Sequence, residues 1–203
     1  MSKYIALKAT VKNRGTPPDS FLDELISWAR TAPDEIFVPN NEQYDVMTRL
    51  KPLLGSHVDT DAEGDPIYVW DNLQHRKAAL LELLRCLAGF ESSWNWNEGV
   101  DKTNQTSMHN IEGQETGIFQ VSHDSLRLDK SGTLKQWLSK HLETAVNNAQ
   151  EFIDAMKSYH SFAIEYAARL LRISYKWDGP ILRHEIDSSL SRAAVQEFIS
   201  LIS

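Results

Sequence analysis

Residues 73–90, LQHRKAALLELLRCLAGF, limit most what this chain can fold into. The run is strongly apolar and has helical spacing, so it belongs inside a fold. Leu80, Leu84 and Leu87 share one helical face, and Glu91 continues that face at the next step. A carboxylate there meets the core or the wall of a cleft. Desolvation raises its pKa, and the partial negative charge of a helix C-terminus pushes the same way. A carboxyl that stays protonated near neutral pH is a proton donor for a leaving oxygen. Glutamates at helix ends are more often solvated or ion-paired, so the neighbours of Glu91 have to decide its role.

The rest of the chain reads as helices separated by turn chemistry. Residues 4–11 suit a short strand or an extended arm. NRGTPPDS is a turn, after which Asp19 or Ser20 caps a helix to about Arg30. A second helix is expected over residues 42–54, ended by Gly55. SHVDTDAEGDP reads as a solvated loop, because its acids lack the spacing of a calcium-binding loop. Asp71 or Asn72 caps the apolar helix. Residues 91–113 are polar, without helical period, and suit short strands or irregular loop. Residues 118–121 lead toward a helix near Asp124. Further helices are expected over residues 134–142, 144–159, 161–177 and 191–202, with WDGP as the stop signal after the third. The fold class is mainly α, with a small β or irregular segment at the cleft. Residues 1–70 form an extension, mostly helical, on a core domain of residues 71–203.

The totals exclude several classes. A chain of 203 residues builds its own core without staples. Its net charge of −7 and the lack of a basic cluster argue against a nucleic-acid partner. An anionic polymer would gain nothing from long-range attraction, so groove contacts would have to hold it. Cys86, the only cysteine, lies in the apolar helix and reads as a buried, inert thiol. The seven histidines show no metal-ligand spacing, so neither metal nor cofactor is expected. No apolar run is long enough to span a bilayer, and the N-terminus lacks a signal-peptide pattern. Synthesis in the cytoplasm is expected, with export or release by another route.

The order of motifs now matters. Glu91-Ser92-Ser93 ends an apolar helix, a polar segment follows, and Gly117-Ile118-Phe119-Gln120 closes it. This pattern resembles the lysozyme-like superfamily, above all lytic transglycosylases and goose-type lysozymes. Ile118 and Phe119 keep the apolar character of that family's Gly-Leu-Met-Gln turn. A late Tyr-Asn-x-Gly element is matched only in part by Tyr175, Gly179 and Pro180, with Lys176 where Asn is usual. The resemblance covers residues 73–177. It implies that Glu91 is the catalytic acid, that Ser92 holds it, and that Gln120 lines the substrate groove. It also implies a contact from Tyr175 to the glutamate or the sugar. Gly117 fits a place where backbone approaches closely or takes positive φ.

The resemblance implies a glycosidase acting on β-1,4-linked amino sugars, peptidoglycan foremost. Glycoside hydrolysis commonly uses two carboxylates. Lytic transglycosylases use one, with the sugar's own hydroxyl attacking to leave an anhydro end. The aspartate expected after the turn is replaced by Ser122. Glu115, two residues before Gly117, is the first candidate for a second carboxylate; Asp101 is the next, and Glu112 a third. Trp94 and Trp96 either stack on sugar rings or pack the loop, with Trp96 the better candidate for a sugar platform. Trp137 and Trp177 read as core. His109 and His123 flank the turn and read as packed or surface residues. Ser122-His123-Asp124 is no triad, since adjacent residues cannot adopt the geometry. Two alternatives stay open: a chitosanase or chitinase, and a non-catalytic glycan-binding relative.

Overall fold

The computed structural model describes residues 3–99 and 110–203. The described residues are mainly helical. Helix α1 spans Asp19–Thr31, α2 Val46–Leu54 and α3 Leu73–Ser92. Helices α4 (Thr133–His141), α5 (Ala149–Ser158), α6 (His160–Ile173), α7 (Gly179–Leu182) and α8 (Arg192–Ile202) follow. Strands β1 (Ser56–Thr60) and β2 (Pro66–Val69) form an antiparallel hairpin between α2 and α3.

Helix α3 is the axis. Every residue from Ala78 to Gly89 is buried. A helix buried on all sides needs partners all round, and here they include α1, α2, α6 and α8. One continuous core joins Leu7, Leu22 and Leu50 from the first 54 residues to Leu84, Phe152 and Phe198. Asn72 caps α3 by accepting the N–H of His75 (2.9 Å), as its sequence position foretold.

A charged pair sits inside this axis. Glu82 and Arg85 are both fully buried. Arg85 donates to both carboxylate oxygens of Glu82 (2.7 and 2.8 Å). The Ser191 N–H also donates to Glu82 (2.9 Å), and Arg85 donates onward to the carbonyl oxygens of Ala9 (3.0 Å) and Ser189 (3.3 Å). Burial alone would pull the guanidinium down; Glu82 outweighs it and holds Arg85 above its ordinary value. The pair thus ties α3 to both ends of the chain. Cys86 lies beside it, fully buried, its thiol pushed well up by burial.

A second pair holds the segment before α2. Arg172 of α6 donates to both oxygens of Asp45 (2.7 and 2.9 Å), which also caps α2 through the Met47 N–H (3.0 Å). Arg172 reaches the Val38 carbonyl as well (2.7 Å). Residues 36–45 are thereby fastened along α6.

Several elements differ from the sequence reading. Residues 4–11 are not a strand: Ala6–Lys8 make a 3₁₀ turn whose amides are held by the Glu197 carboxylate of α8. The segment read as a solvated loop is the β1–β2 hairpin. Its strands show almost no buried face, so the period-2 burial pattern that announces a strand is missing. Residues 144–159 split into a 3₁₀ turn (Glu143–Val146) and α5, because Asn148 caps a new helix through Gln150 and Glu151. Residues 161–177 stop helical at Ile173, and WDGP begins a helix instead of ending one.

The buried pair sets a stability test. Glu82→Gln leaves the Arg85 charge without its anion and should cost about 3–5 kcal/mol in urea unfolding. The double variant Glu82→Gln/Arg85→Met should lose less than the two single losses added together.

Candidate functional site

The site begins where α3 ends. Ser93 and Trp94 take left-handed backbone conformations, φ 53° and 62°. Their N–H groups return to Gly89 (3.0 Å) and Ala88 (3.0 Å), a Schellman-type reversal that stops the helix directly after Ser92. Trp94 then turns inward. Its indole N–H donates to the Arg85 carbonyl (3.0 Å), and its ring fills the space a side chain at Gly89 would need, 2.7 Å from a Cβ there. Trp94 is therefore a plug beneath the helix end.

Ser92 stands behind the site. It is 8% exposed. Its hydroxyl donates to the Ile118 carbonyl (2.8 Å), lies 3.1 Å from the Ala88 carbonyl, and accepts the Asn95 N–H (3.1 Å). It binds the helix end to the 117–120 turn. In that turn Thr116 and Val121 exchange backbone hydrogen bonds (3.1 and 3.3 Å), and Ile118 and Phe119 are fully buried. Gly117 has φ 70°, and a Cβ on it would stand 3.0 Å from the Met156 carbonyl oxygen. Both requirements named for that glycine are present. Gln120, φ 46°, folds its side-chain amide onto the Gly117 carbonyl (2.8 Å).

Glu91 lies half-buried in the last turn of α3. Burial pushes its carboxyl up to about 8, with Asp178 and Glu115 adding to the rise and Arg14 and Arg183 opposing it. The apolar stripe behind it, Leu80, Leu84 and Leu87, is fully buried.

Asp178 is the residue the sequence reading passed over. It is 1% exposed. One oxygen caps α7 by accepting the Ile181 N–H (2.8 Å); the other, Oδ2, is buried with no hydrogen-bond partner among the described residues. Burial pushes this carboxyl up to about 7, the Ile181 N–H and Arg183 pull it back, and Glu115 and Glu185 add to the rise. The signal for it was present. An Asp directly before Gly-Pro is a helix N-cap followed by Pro in the first turn.

The other candidates fall into place around these two. Glu115 is exposed and acts electrostatically on both Glu91 and Asp178. Glu112 pairs with Arg127 (2.6 Å). Asp101 and His109 lie outside the described residues. Trp96 has one face covered: the His160 ring stacks on it at 3.8 Å and 6°, and Glu24 holds His160. Tyr175 packs edge-on against Tyr44 (6.2 Å, 87°) and is half-buried. His123 points its Nε2 at the Ala145 and Val146 carbonyls (3.1 Å each) and packs on Phe152, away from a triad with Ser122 and Asp124. Trp177 is half-buried and packs against the core, and with Glu115, Gln120, Ser122, Asp124 and Leu128 it walls a hollow of about 210 Å³. Among the described residues no cluster of His, Cys, Asp and Glu is disposed to hold a metal ion. No helix of the described residues is long and apolar enough to cross a membrane.

No family model, no curated protein and no solved structure matches this chain.

A protonated carboxyl held by burial carries a stability signature. The folded state keeps the Glu91 proton up to about pH 8, whereas the unfolded chain releases it near 4.5. Between those values the folded state binds the extra proton, so stability falls as pH rises, by up to about 1.4 kcal/mol per pH unit. Glu91→Gln removes the share of the dependence that Glu91 carries, while Asp178, pushed up to about 7, keeps its own. The variant's stability advantage over the native protein, read by urea unfolding, should be near zero at pH 4 and grow steadily to pH 8.

Proposed function

We propose that this protein is a glycosidase cleaving β-1,4 linkages of an amino-sugar polymer, peptidoglycan foremost, with Glu91 as general acid. One observation carries the reading: a desolvated glutamic acid, protonated to about pH 8, ends a buried helix that Ser92 fastens to the turn bearing Gln120.

The chemistry follows from that proton. Glu91 donates it to the glycosidic oxygen as the bond from the anomeric carbon to that oxygen breaks. The leaving sugar departs as an alcohol, and Glu91 becomes a carboxylate. The oxocarbenium-like carbon is then attacked either by water or by a hydroxyl of its own sugar. In each case the attacking oxygen gives up a proton that can return to Glu91. Water leaves a reducing end, and the sugar hydroxyl leaves an anhydro end. Asp178 has no open space in front of it, being 1% exposed, so it is not the base that activates water. Its role in this scheme is electrostatic: as a neighbouring acid it opposes ionisation of Glu91 and keeps the donor loaded. In this scheme Glu115, exposed on the wall of the hollow beside Gln120, is the carboxylate that meets water.

The decisive assay is mass analysis of products from purified peptidoglycan, with chitosan run alongside. Glu91→Gln should abolish cleavage and keep the fold; a fully active variant would overturn the assignment. Cleavage of chitosan alone would move the substrate to the chitosanase reading. Binding of either polymer without products would leave a glycan-binding protein.

The acid also sets the pH profile. Cleavage should persist to about pH 8 and fall above it, as Glu91 loses its proton. Asp178→Asn keeps the acceptor for the Ile181 N–H and removes the charge. It should move the basic limb of kcat/KM to lower pH by about half a unit or more. An unmoved limb would separate Asp178 from the acid.

A further inference from the structure

Two tryptophans follow the candidate acid, and the fold uses them differently. Trp94 is 6% exposed, and its indole N–H is spent on the Arg85 carbonyl (3.0 Å). Trp96 is half-buried and stands on a segment that the site itself positions. The Asn95 N–H donates to the hydroxyl of Ser92 (3.1 Å), the residue next to Glu91. The Glu98 carbonyl accepts the Gly117 N–H (3.0 Å). Residues 95–98 therefore bridge the end of α3 and the turn bearing Gln120, and Trp96 is carried on that bridge.

What covers Trp96 is another flat ring. The His160 imidazole lies 3.8 Å from it with 6° between the planes, closer and more nearly parallel than the other ring pairs among the described residues. Phe21 packs against Trp96 from the core, 6.0 Å away and tilted by 49°. The imidazole has one further contact among the described residues, from its Nδ1 to the Glu24 carboxylate. The stack lies at the surface. Asn95 and Asn97 on either side of Trp96, and Tyr159 and Ser161 on either side of His160, are exposed. The His160 and Glu24 side chains themselves keep 34% and 36% of their area in solvent. A pair this open holds its members weakly. His141 lies over Trp137 in a related way (4.7 Å, 30°), but Trp137 is 8% exposed and that stack belongs to the core.

We infer that the face of Trp96 beneath His160 is a sugar-stacking subsite, and that the imidazole occupies it until a pyranose ring of the glycan takes its place. A β-1,4-linked N-acetylglucosamine-type ring carries its substituents equatorially. Both of its faces therefore present C–H groups, which an aromatic plane covers well. The two occupants exclude each other, since both need the same indole face. The apparent affinity for glycan is then reduced by the fraction of molecules in which His160 is still in place. The inference takes its polymer from the glycosidase reading and adds to it a residue that binds a ring on the same bridge that holds the acid and the turn together.

The test uses the Glu91→Gln protein, so that the polymer stays whole, with chitohexaose and peptidoglycan strands stripped of their peptides as probes. In proton NMR the ring current of Trp96 holds the carbon-bound protons of His160 upfield of an ordinary imidazole. Saturating probe should return them to ordinary positions, and the probe that does so at the lower concentration names the polymer. His160→Ala should bind that probe about threefold or more tightly than its parent, and the gain should vanish in Trp96→Ala/His160→Ala. His160 signals that stay in place at the highest concentration of both probes overturn the inference. So does a His160→Ala variant, folded by circular dichroism, that binds no tighter than its parent. Failure of the glycosidase reading looks different. If the protein with Glu91 intact cleaves no polymer while glycan still displaces His160, the subsite stands and the enzyme does not; products formed with His160 still stacked mean the reverse.

Discussion

The structure depends on burying α3 on all sides. A helix with no solvent face cannot be placed by one packing contact; it needs neighbours in every direction, and the rest of the chain supplies them. The Glu82–Arg85 pair fixes where those neighbours sit. It accepts from Ser191 and donates to Ala9 and Ser189, so both chain ends are referred to one point in the core. A buried pair of this kind adds little stability over a well-packed apolar pair, but leaving one member alone is costly. Its effect is to allow few arrangements of the surrounding segments. The end of α3 then has one position, and with it Glu91.

What was legible in the sequence was whatever a single helix period could carry. Leu80, Leu84 and Leu87 predicted a buried stripe, and Glu91 at its end is half-buried with its carboxyl pushed up. Gly117 announced a positive φ and a close approach. What was not legible depended on partners distant in sequence. Trp96 reads as a sugar platform until His160 covers it, 64 positions further on. Ser92 reads as the residue that holds Glu91 until its hydroxyl is found on Ile118. Trp177 reads as core and does pack against it, but the hollow it also walls depends on Glu115 and Leu128, far from it in sequence. Asp178 was lost to a local ambiguity: Gly-Pro ends one helix as readily as it starts another. The β1–β2 hairpin was lost because neither of its faces is buried, so period 2 never appears.

The N-terminal stretch and the candidate site are linked through Arg172. Its bonds to Asp45 and to the Val38 carbonyl hold residues 36–45 against α6, and Tyr44 in turn receives the Tyr175 N–H (3.0 Å). Tyr175 is three residues before Asp178. The 36–45 segment and the second acid of the site are therefore positioned by one chain of contacts. A shift of the 36–45 segment would be felt at both.

Burial pushes up the carboxyls of two glutamates on the same helix, and the difference in their partners is the physical argument for a site. Glu82 is fully buried and fully answered, with an arginine and a backbone N–H on its carboxylate. Glu91, nine positions on, is set among other acids, and its neighbour Asp178 keeps a buried oxygen with no hydrogen-bond partner among the described residues. Around them lie left-handed backbone at Ser93, Trp94 and Gln120 and a buried Thr116 hydroxyl with no hydrogen-bond partner among the described residues. Each such feature costs about 1–3 kcal/mol. A fold able to satisfy Glu82 so thoroughly had the means to satisfy Glu91. Stability accounts for the first acid and argues against the second, and a carboxyl kept neutral at that expense is what proton donation requires.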